Sequence, residues 1–155
     1  MAKPQASAHR IGTALVMLQF TLLAVLAWVA APAVLAGAVP VAAWLLLLAS
    51  AVVGLWALAA NRPGNFNIRP APREGGSLVA HGPYRWIRHP MYSAVIAFGL
   101  ACAWSAASRW AWLAVAALVA VLLVKAAYEE RWMLQAHPGY ADYRRRTRRF
   151  LPGLY

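Results

Sequence analysis

The sequence predicts an all-α integral membrane protein with four transmembrane helices, and three observations carry this prediction. Of the 155 residues, 63% are hydrophobic and only 12% are charged, so a soluble fold would have too little polar surface. Four apolar stretches approach the length of about 20 residues that crosses a bilayer. The 15 Lys and Arg residues, which outnumber the four Asp and Glu residues, gather in alternate loops, as they do in membrane proteins with a fixed orientation.

The four predicted spans are almost free of charge, the exception being Lys125 near the end of the fourth. They are Ile11 to Ala31, Val39 to Ala60, Met91 to Ser108 and Trp110 to Tyr128. A short loop around residues 32–38 joins the first two, and a tight turn at Ser108–Arg109 should make a helical hairpin of the last two. The first apolar run is longer than the roughly 7–15 residues of a signal peptide, so we expect a retained helix.

The basic residues predict the orientation of the chain. If all four segments cross, 14 of the 15 basic residues share one side and only Arg109 lies opposite. Basic loops stay in the cytoplasm, so both termini and the long central loop are expected there. We expect one membrane domain over residues 1–155, with a two-span hairpin at 1–60 and a core at 61–155.

Two pairs of small residues, Ser50 with Gly54 and Gly99 with Ala103, are spaced so that helices can approach closely. Packing within the chain is the expected use, with a dimer seam as the alternative. The single cysteine, Cys102, lies mid-span and is expected to pack, and one cysteine excludes a disulfide scaffold.

Two cytoplasmic segments hold most of the polar chemistry, residues 61–90 and residues 129–155. The first is rich in Pro, Gly and Arg and has little capacity for regular helix. The second continues the fourth span and breaks at His137-Pro138-Gly139. Candidate functional residues are therefore sought where these segments meet the spans.

The third span begins at a group of residues suited to bind an anion. Pro90 fits the first turn of a helix, which places Arg88 and His89 at its entry, and Tyr92 lies one turn further on. The unpaired N–H groups of a helix start attract a carboxylate. The alternative is that these side chains only anchor the span at the membrane boundary.

Two of the four acidic residues, Glu129 and Glu130, stand together at the end of the fourth span. An antiparallel pairing of spans three and four would bring them close to Arg88 and His89. Ionisable groups at such a position suggest a functional site. A salt bridge to these residues, or to Lys125 one turn back, is the alternative.

The order of these motifs resembles the integral membrane methyltransferases related to isoprenylcysteine carboxyl methyltransferase and the phospholipid methyltransferases. The matching motifs cover about residues 61–155 and are Asn65-Phe66-Asn67-Ile68-Arg69-Pro70, Gly82-Pro83-Tyr84, Arg88-His89-Pro90-Met91-Tyr92, Glu129-Glu130, Tyr140-Ala141-Asp142-Tyr143 and Arg149-Phe150-Leu151-Pro152. Two positions depart from the family pattern. Ala94 stands where many relatives have Gly, and His137-Pro138-Gly139 stands where many have Phe-Gly.

The resemblance implies that S-adenosyl-L-methionine is the cofactor, with S-adenosyl-L-homocysteine as product. The Asn65–Pro70 motif resembles bacterial members, which implies a location in a bacterial inner membrane. The cofactor pocket would lie between the hairpin of spans three and four, the 61–90 loop and the C-terminal segment. The cofactor-binding residues implied are Tyr84, Arg88, His89, Tyr92, Glu129 and Glu130. No Gly-x-Gly-x-x-Gly motif of a soluble cofactor domain occurs in the chain.

Methyl transfer from a sulfonium needs alignment and exclusion of water more than acid–base chemistry. Glu130 and Arg149 are the candidate catalytic residues. A carboxylate acceptor would need a cation, for which Arg131, Arg148 or Arg149 could serve, whereas an amine acceptor would lose its proton to Glu130 or to water. The expected partners are membrane lipids and a lipid-like or prenylated acceptor, with no metal and no nucleic acid.

Two other functions fit the same features. One is a sterol-reductase-like membrane enzyme that binds NADPH. The other is a non-catalytic bundle that binds lipid or a partner protein.

Overall fold

The computed structural model describes residues 3–61 and 78–153, with side chains from residue 10 onward. Within these residues the chain is helical, with an isolated backbone bridge between Ile87 and Arg148. The helices are α1 (Lys3–Leu35), α2 (Val41–Ala60), α3 (Pro90–Ala106), α4 (Arg109–Ala136) and α5 (Tyr140–Arg146), with a 3₁₀ turn at Gly82–Arg85. The predicted motif Asn65–Pro70 lies outside the described residues.

Three of these helices, α1, α2 and α4, are long and apolar enough to cross a membrane. Helix α3 is shorter, with 17 residues, which corresponds to a length of about 25 Å. By length, the prediction of four spans is therefore confirmed for α1, α2 and α4. The predicted third span is the shorter apolar helix α3. This set of helices is consistent with a multi-pass membrane protein.

Helix α3 lies at the centre of the bundle and packs against α1, α2 and α4, while α1 also packs against α4. The core between them contains Leu26, Ala103, Leu118 and Leu122, each almost fully buried. In the apolar stretches of α1 and α2 only 17% and 11% of the residues are buried inside the bundle, against 39% in α4. Apolar residues on the outside of the bundle are what a lipid environment requires. Because α1, α2 and α4 pack around α3, this short helix fits inside the bundle.

The small-residue pairs pack within the chain, as expected. The Ser50 hydroxyl of α2 donates to the Ala94 carbonyl of α3 at 2.8 Å, and a Cβ on Gly54 would lie 3.5 Å from that of Ala94. Gly99 faces Leu118 closely enough that an added Cβ would lie at 3.1 Å. Ala94 departs from the family's glycine, and Gly54 leaves it space on the facing helix.

The first helix is longer than the sequence predicts. It continues through Pro32 to Leu35, where we expected a loop from residue 32. The carbonyls of Pro32, Ala33 and Val34 accept hydrogen bonds from the following backbone N–H groups. Gly37 adopts the left-handed conformation (φ 65°) that commonly ends a helix. This cap keeps the last turn helical beyond the proline.

Candidate functional site

The entry to α3 is fixed by the 3₁₀ turn that precedes it. Gly82 has φ 59°, and a Cβ there would lie 2.8 Å from that of Ala60. Glycine is therefore needed for both the conformation and the close approach to α2. The Pro83 carbonyl accepts from the N–H groups of Trp86 and Ile87. The turn thus leads directly into Arg88 and the start of α3.

The C-terminal strap, residues 147–150, lies along this entry segment. The Arg88 N–H donates to the Arg148 carbonyl at 2.8 Å, and the Arg148 N–H donates to the Trp86 carbonyl at 2.9 Å. The His89 N–H donates to the Arg149 carbonyl at 3.1 Å. The Ser93 hydroxyl donates to the Phe150 carbonyl. These bonds hold the arginines of the strap beside the start of α3.

Glu130 is a buried carboxylate, 3% exposed, at the end of α4. Its Oε1 accepts from Arg88 Nε and from Arg149 Nε, each at 3.0 Å. Its Oε2 accepts from a terminal nitrogen of Arg149 at 3.2 Å and lies 3.5 Å from Arg144 Nε. The predicted meeting of α3 and α4 is confirmed by these contacts, and three guanidinium groups share one carboxylate.

His89 lies between the two acidic residues and is buried. Its Nε2 is 3.3 Å from Glu130 Oε1, and its Nδ1 is 3.3 Å from Glu129 Oε2. Burial alone would lower the pKa of His89, but the hydrogen bonds and charges of Glu129 and Glu130 raise it above its ordinary value. The two carboxylates thus favour the protonated imidazole, which can donate to both of them.

Glu129 faces aromatic hydroxyls on the other side of His89. The Tyr92 hydroxyl donates to Glu129 Oε1, and the Tyr92 ring stacks on that of His89 with centroids 5.3 Å apart. Burial, together with the charge of Glu129, raises the pKa of Tyr84 to about 12, although a hydrogen bond with Asn61 acts in the opposite direction. Both tyrosines therefore remain neutral donors at physiological pH.

An open cleft of about 350 Å³ lies on the Glu130 side of the cluster. Its lining residues are Arg88, Arg144, Thr147, Arg148, Arg149 and Gly153. Four arginines line the cleft, and three of them, Arg88, Arg144 and Arg149, contact the Glu130 carboxylate. The cleft therefore carries an excess of positive charge. Electrostatically it is suited to an anion.

The structure brings together all seven predicted site residues at the meeting of α3, α4 and the C-terminal strap: Tyr84, Arg88, His89, Tyr92, Glu129, Glu130 and Arg149. Arg148, a candidate cation for the acceptor, lines the cleft. Arg131, the other candidate, is exposed and lies over the Tyr128 ring at 6.0 Å. The ligand-binding roles of the site residues stay a prediction.

Sequence reasoning missed several members of the cluster. Arg144 is not among the residues that the sequence predicts for the site, yet its Nε approaches Glu130. The Thr147 carbonyl accepts from Arg88. Of the salt bridges that were the alternative for the two acidic residues, those to Arg88 and His89 form. Lys125 instead donates from its Nζ to Gln19 at 2.6 Å. Nothing in the arginine run distinguishes Arg144, whose place beside Glu130 depends on how the C-terminal segment folds back onto the start of α3.

These features define a class of protein: a small bundle of apolar helices with a charged, partly buried site at one end. The chain matches the profile of the phospholipid methyltransferase family over residues 38–138, and it belongs to that family. It is 36% identical over 84 residues to the cobalt-zinc-cadmium resistance protein CzcN of Cupriavidus metallidurans. That match covers 53% of this chain and 38% of the relative, so the chain spans well under half of the relative's length. No solved structure matches the chain.

Proposed function

We propose that this protein transfers a methyl group from S-adenosyl-L-methionine to a lipid-like or prenylated amphiphilic acceptor at the cytoplasmic membrane boundary. Membership of the phospholipid methyltransferase family supports membrane methyl transfer. The observation that carries the proposal is the cluster itself, in which His89 joins Glu129 and Glu130 at the end of an apolar bundle. Buried ionisable groups at a membrane boundary are energetically costly, so their presence here supports a functional role.

The residues of the cluster fit the chemistry of the cofactor. S-adenosyl-L-methionine presents a sulfonium, an ammonium and a carboxylate, so its site must offer charges of both signs. Glu129 with Tyr84 and Tyr92 provides a carboxylate and aromatic groups suited to cations. Arg88, which lines the arginine cleft, is suited to the carboxylate. When bound, the cofactor would supply an electrophilic methyl group.

The acceptor is assigned to the side of the arginine cleft. Arg149, which holds Glu130 through two nitrogens, is placed to orient an anionic group of the acceptor beside Arg148. A carboxylate that binds three guanidinium groups is a weak proton acceptor, because those cations already neutralise its charge. Glu130 is therefore poorly suited to take the proton that an amine acceptor must lose. The contacts of Glu130 therefore favour an acceptor oxygen over an amine, with Glu130 orienting Arg88 and Arg149.

The proposed membrane side follows from the distribution of charge. The site lies where α3 begins and α4 ends, beside the arginines of α5 and the strap. Basic residues favour the cytoplasmic face, and the same arginines are attracted to anionic lipid head groups. A lipid tail could then remain among the helices while its head group reaches the cleft.

Incubation of the purified protein with membrane extracts and methyl-labelled S-adenosyl-L-methionine tests the proposal. We expect label in the lipid phase for the wild type and for Asp142→Asn, whose exposed carboxylate pairs with Arg145. Glu129→Gln should remove it, because the variant loses the anion that faces Tyr92. Mild alkali releases methanol from a methyl ester but leaves an N-methyl group intact. No labelled product, or equal labelling by Glu129→Gln, would contradict the proposal.

A further inference from the structure

Lys125 is the feature of the bundle that the proposed function leaves unexplained. Its side chain is 1% exposed and lies on α4 among α1 and α3. The ammonium donates to Gln19 Oε1 of α1 at 2.6 Å and lies 5.1 Å from the centroid of the Tyr92 ring. A cation inside a membrane bundle is expensive, and an apolar side chain would pack there at lower cost.

The contacts of Lys125 lead to the site. Above its ammonium, the Tyr92 ring stacks on His89, and the Tyr92 hydroxyl donates to Glu129. A cation over the ring attracts its π-electrons, and charged groups in such a chain polarise one another and strengthen the hydrogen bond. Lys125 and Glu129 are also one helical turn apart on α4, with opposite charges.

We propose that Lys125 is a positioning residue that fixes Tyr92 and Glu129 for cofactor binding. Gln19 holds the ammonium of Lys125 from α1 and so makes the N-terminal helix a part of the site. Helix α1 ends at Leu35, before the region matched by the family, which begins at residue 38. The inference rests on the proposed function, because Tyr92 and Glu129 are assigned to the cofactor there.

A purely structural role makes a different prediction. If the Lys125–Gln19 pair only joins α1 to α4, its loss should lower stability and leave ligand affinity unchanged. If Lys125 positions Tyr92 and Glu129, its replacement by Met should lower affinity. Stability should fall in either case, because the buried Gln19 loses its donor. Ligand affinity therefore separates the two roles.

The experiment uses Lys125→Met in the purified full chain, with Val124→Met as control. Val124 is the adjacent residue on α4 and is 44% exposed on the outer surface. Titration calorimetry with S-adenosyl-L-homocysteine should show about tenfold weaker binding for Lys125→Met, the loss expected if the charge-assisted hydrogen bond from Tyr92 to Glu129 is lost with it. Val124→Met should bind as the wild type does, and Lys125→Met should keep the helix content of the wild type.

A second comparison separates positioning from packing. Because Lys125 acts through the Tyr92 hydroxyl, the change Lys125→Met should add little in a Tyr92→Phe background, whereas independent effects would add. Gln19→Leu should weaken binding by a smaller factor, because Lys125 keeps its contact with the Tyr92 ring.

Unchanged affinity in Lys125→Met, unfolding of that variant, or full additivity with Tyr92→Phe would each overturn the inference. Failure of the wild type to bind S-adenosyl-L-homocysteine would instead overturn the proposed function. The two failures are thus distinguishable in one set of titrations.

Discussion

Replacement of Glu130 by Gln should destabilise the protein strongly, because this residue is the shared partner of several cations. Arg88 and Arg149 each place Nε at 3.0 Å from its Oε1, and His89 lies at 3.3 Å. A charge-assisted hydrogen bond contributes about 1.5–3 kcal/mol. Removal of one partner of a buried ion pair costs about 3–5 kcal/mol, because the other charge stays buried.

We expect the loss of stability in Glu130→Gln to lie at the lower end of the range for a buried ion pair. The side chain of Arg88 is 9% exposed, but that of Arg149 is 17% and that of Arg144 is 48% exposed. The latter two can regain water when Glu130 loses its charge, so the predicted loss in the free energy of unfolding is about 3 kcal/mol. The strap should loosen at the same time, because Arg149 loses its anchor on α4.

The assay is equilibrium unfolding in mixed micelles with increasing SDS, followed by helical circular dichroism. Asp142→Asn is the matched control, since it makes the same chemical change in an exposed ion pair with Arg145. That change should cost no more than about 0.5 kcal/mol. A loss for Glu130→Gln below about 1 kcal/mol, or one equal to that of the control, would refute the reasoning.

Three further predictions follow from individual contacts. Tyr92→Phe, which removes the donor to Glu129, should weaken S-adenosyl-L-homocysteine binding about tenfold in titration calorimetry, with no change in helix content. The raised pKa of His89 adds stability that is fully present below its ordinary value of 6.5 and is lost as the pH rises through the raised value. The difference in unfolding free energy between the wild type and His89→Gln should therefore shrink with rising pH, and a pH-independent difference would contradict this. Gly82→Ala should lower stability by about 1–3 kcal/mol more than Gly153→Ala. Both glycines have positive φ, but an added Cβ would meet a neighbour only at Gly82, where it would lie 2.8 Å from the Cβ of Ala60.

The helix pairing and much of the site could be predicted from the sequence because local geometry determines them. Pro90 marks the start of α3, and a two-residue turn returns the chain as α4. The start of one helix and the end of the next must then meet, which brings Arg88 and His89 to Glu129 and Glu130. Helical periodicity adds Tyr92, one turn after His89.

Contacts set by long-range geometry could not be predicted in the same way. The bond between Lys125 and Gln19 joins residues 106 positions apart, and it depends on the rotation of α1 about its own axis. The strap pairs with residues 86–89 through backbone atoms, which leave no pattern in the side chains. For the same reason, nothing in the arginine run distinguishes Arg144, which approaches Glu130, from the exposed Arg145.

Calorimetric titration of the purified wild-type protein with S-adenosyl-L-homocysteine and with NADPH tests the central claim most directly. The cluster around Glu129, His89 and Arg88 is proposed to hold S-adenosyl-L-methionine, so its product should bind with saturable heat, and NADPH should not. His89→Gln should lose that binding while the helices remain folded. Tight binding of NADPH alone, or binding of S-adenosyl-L-homocysteine that His89→Gln leaves unchanged, would contradict the claim.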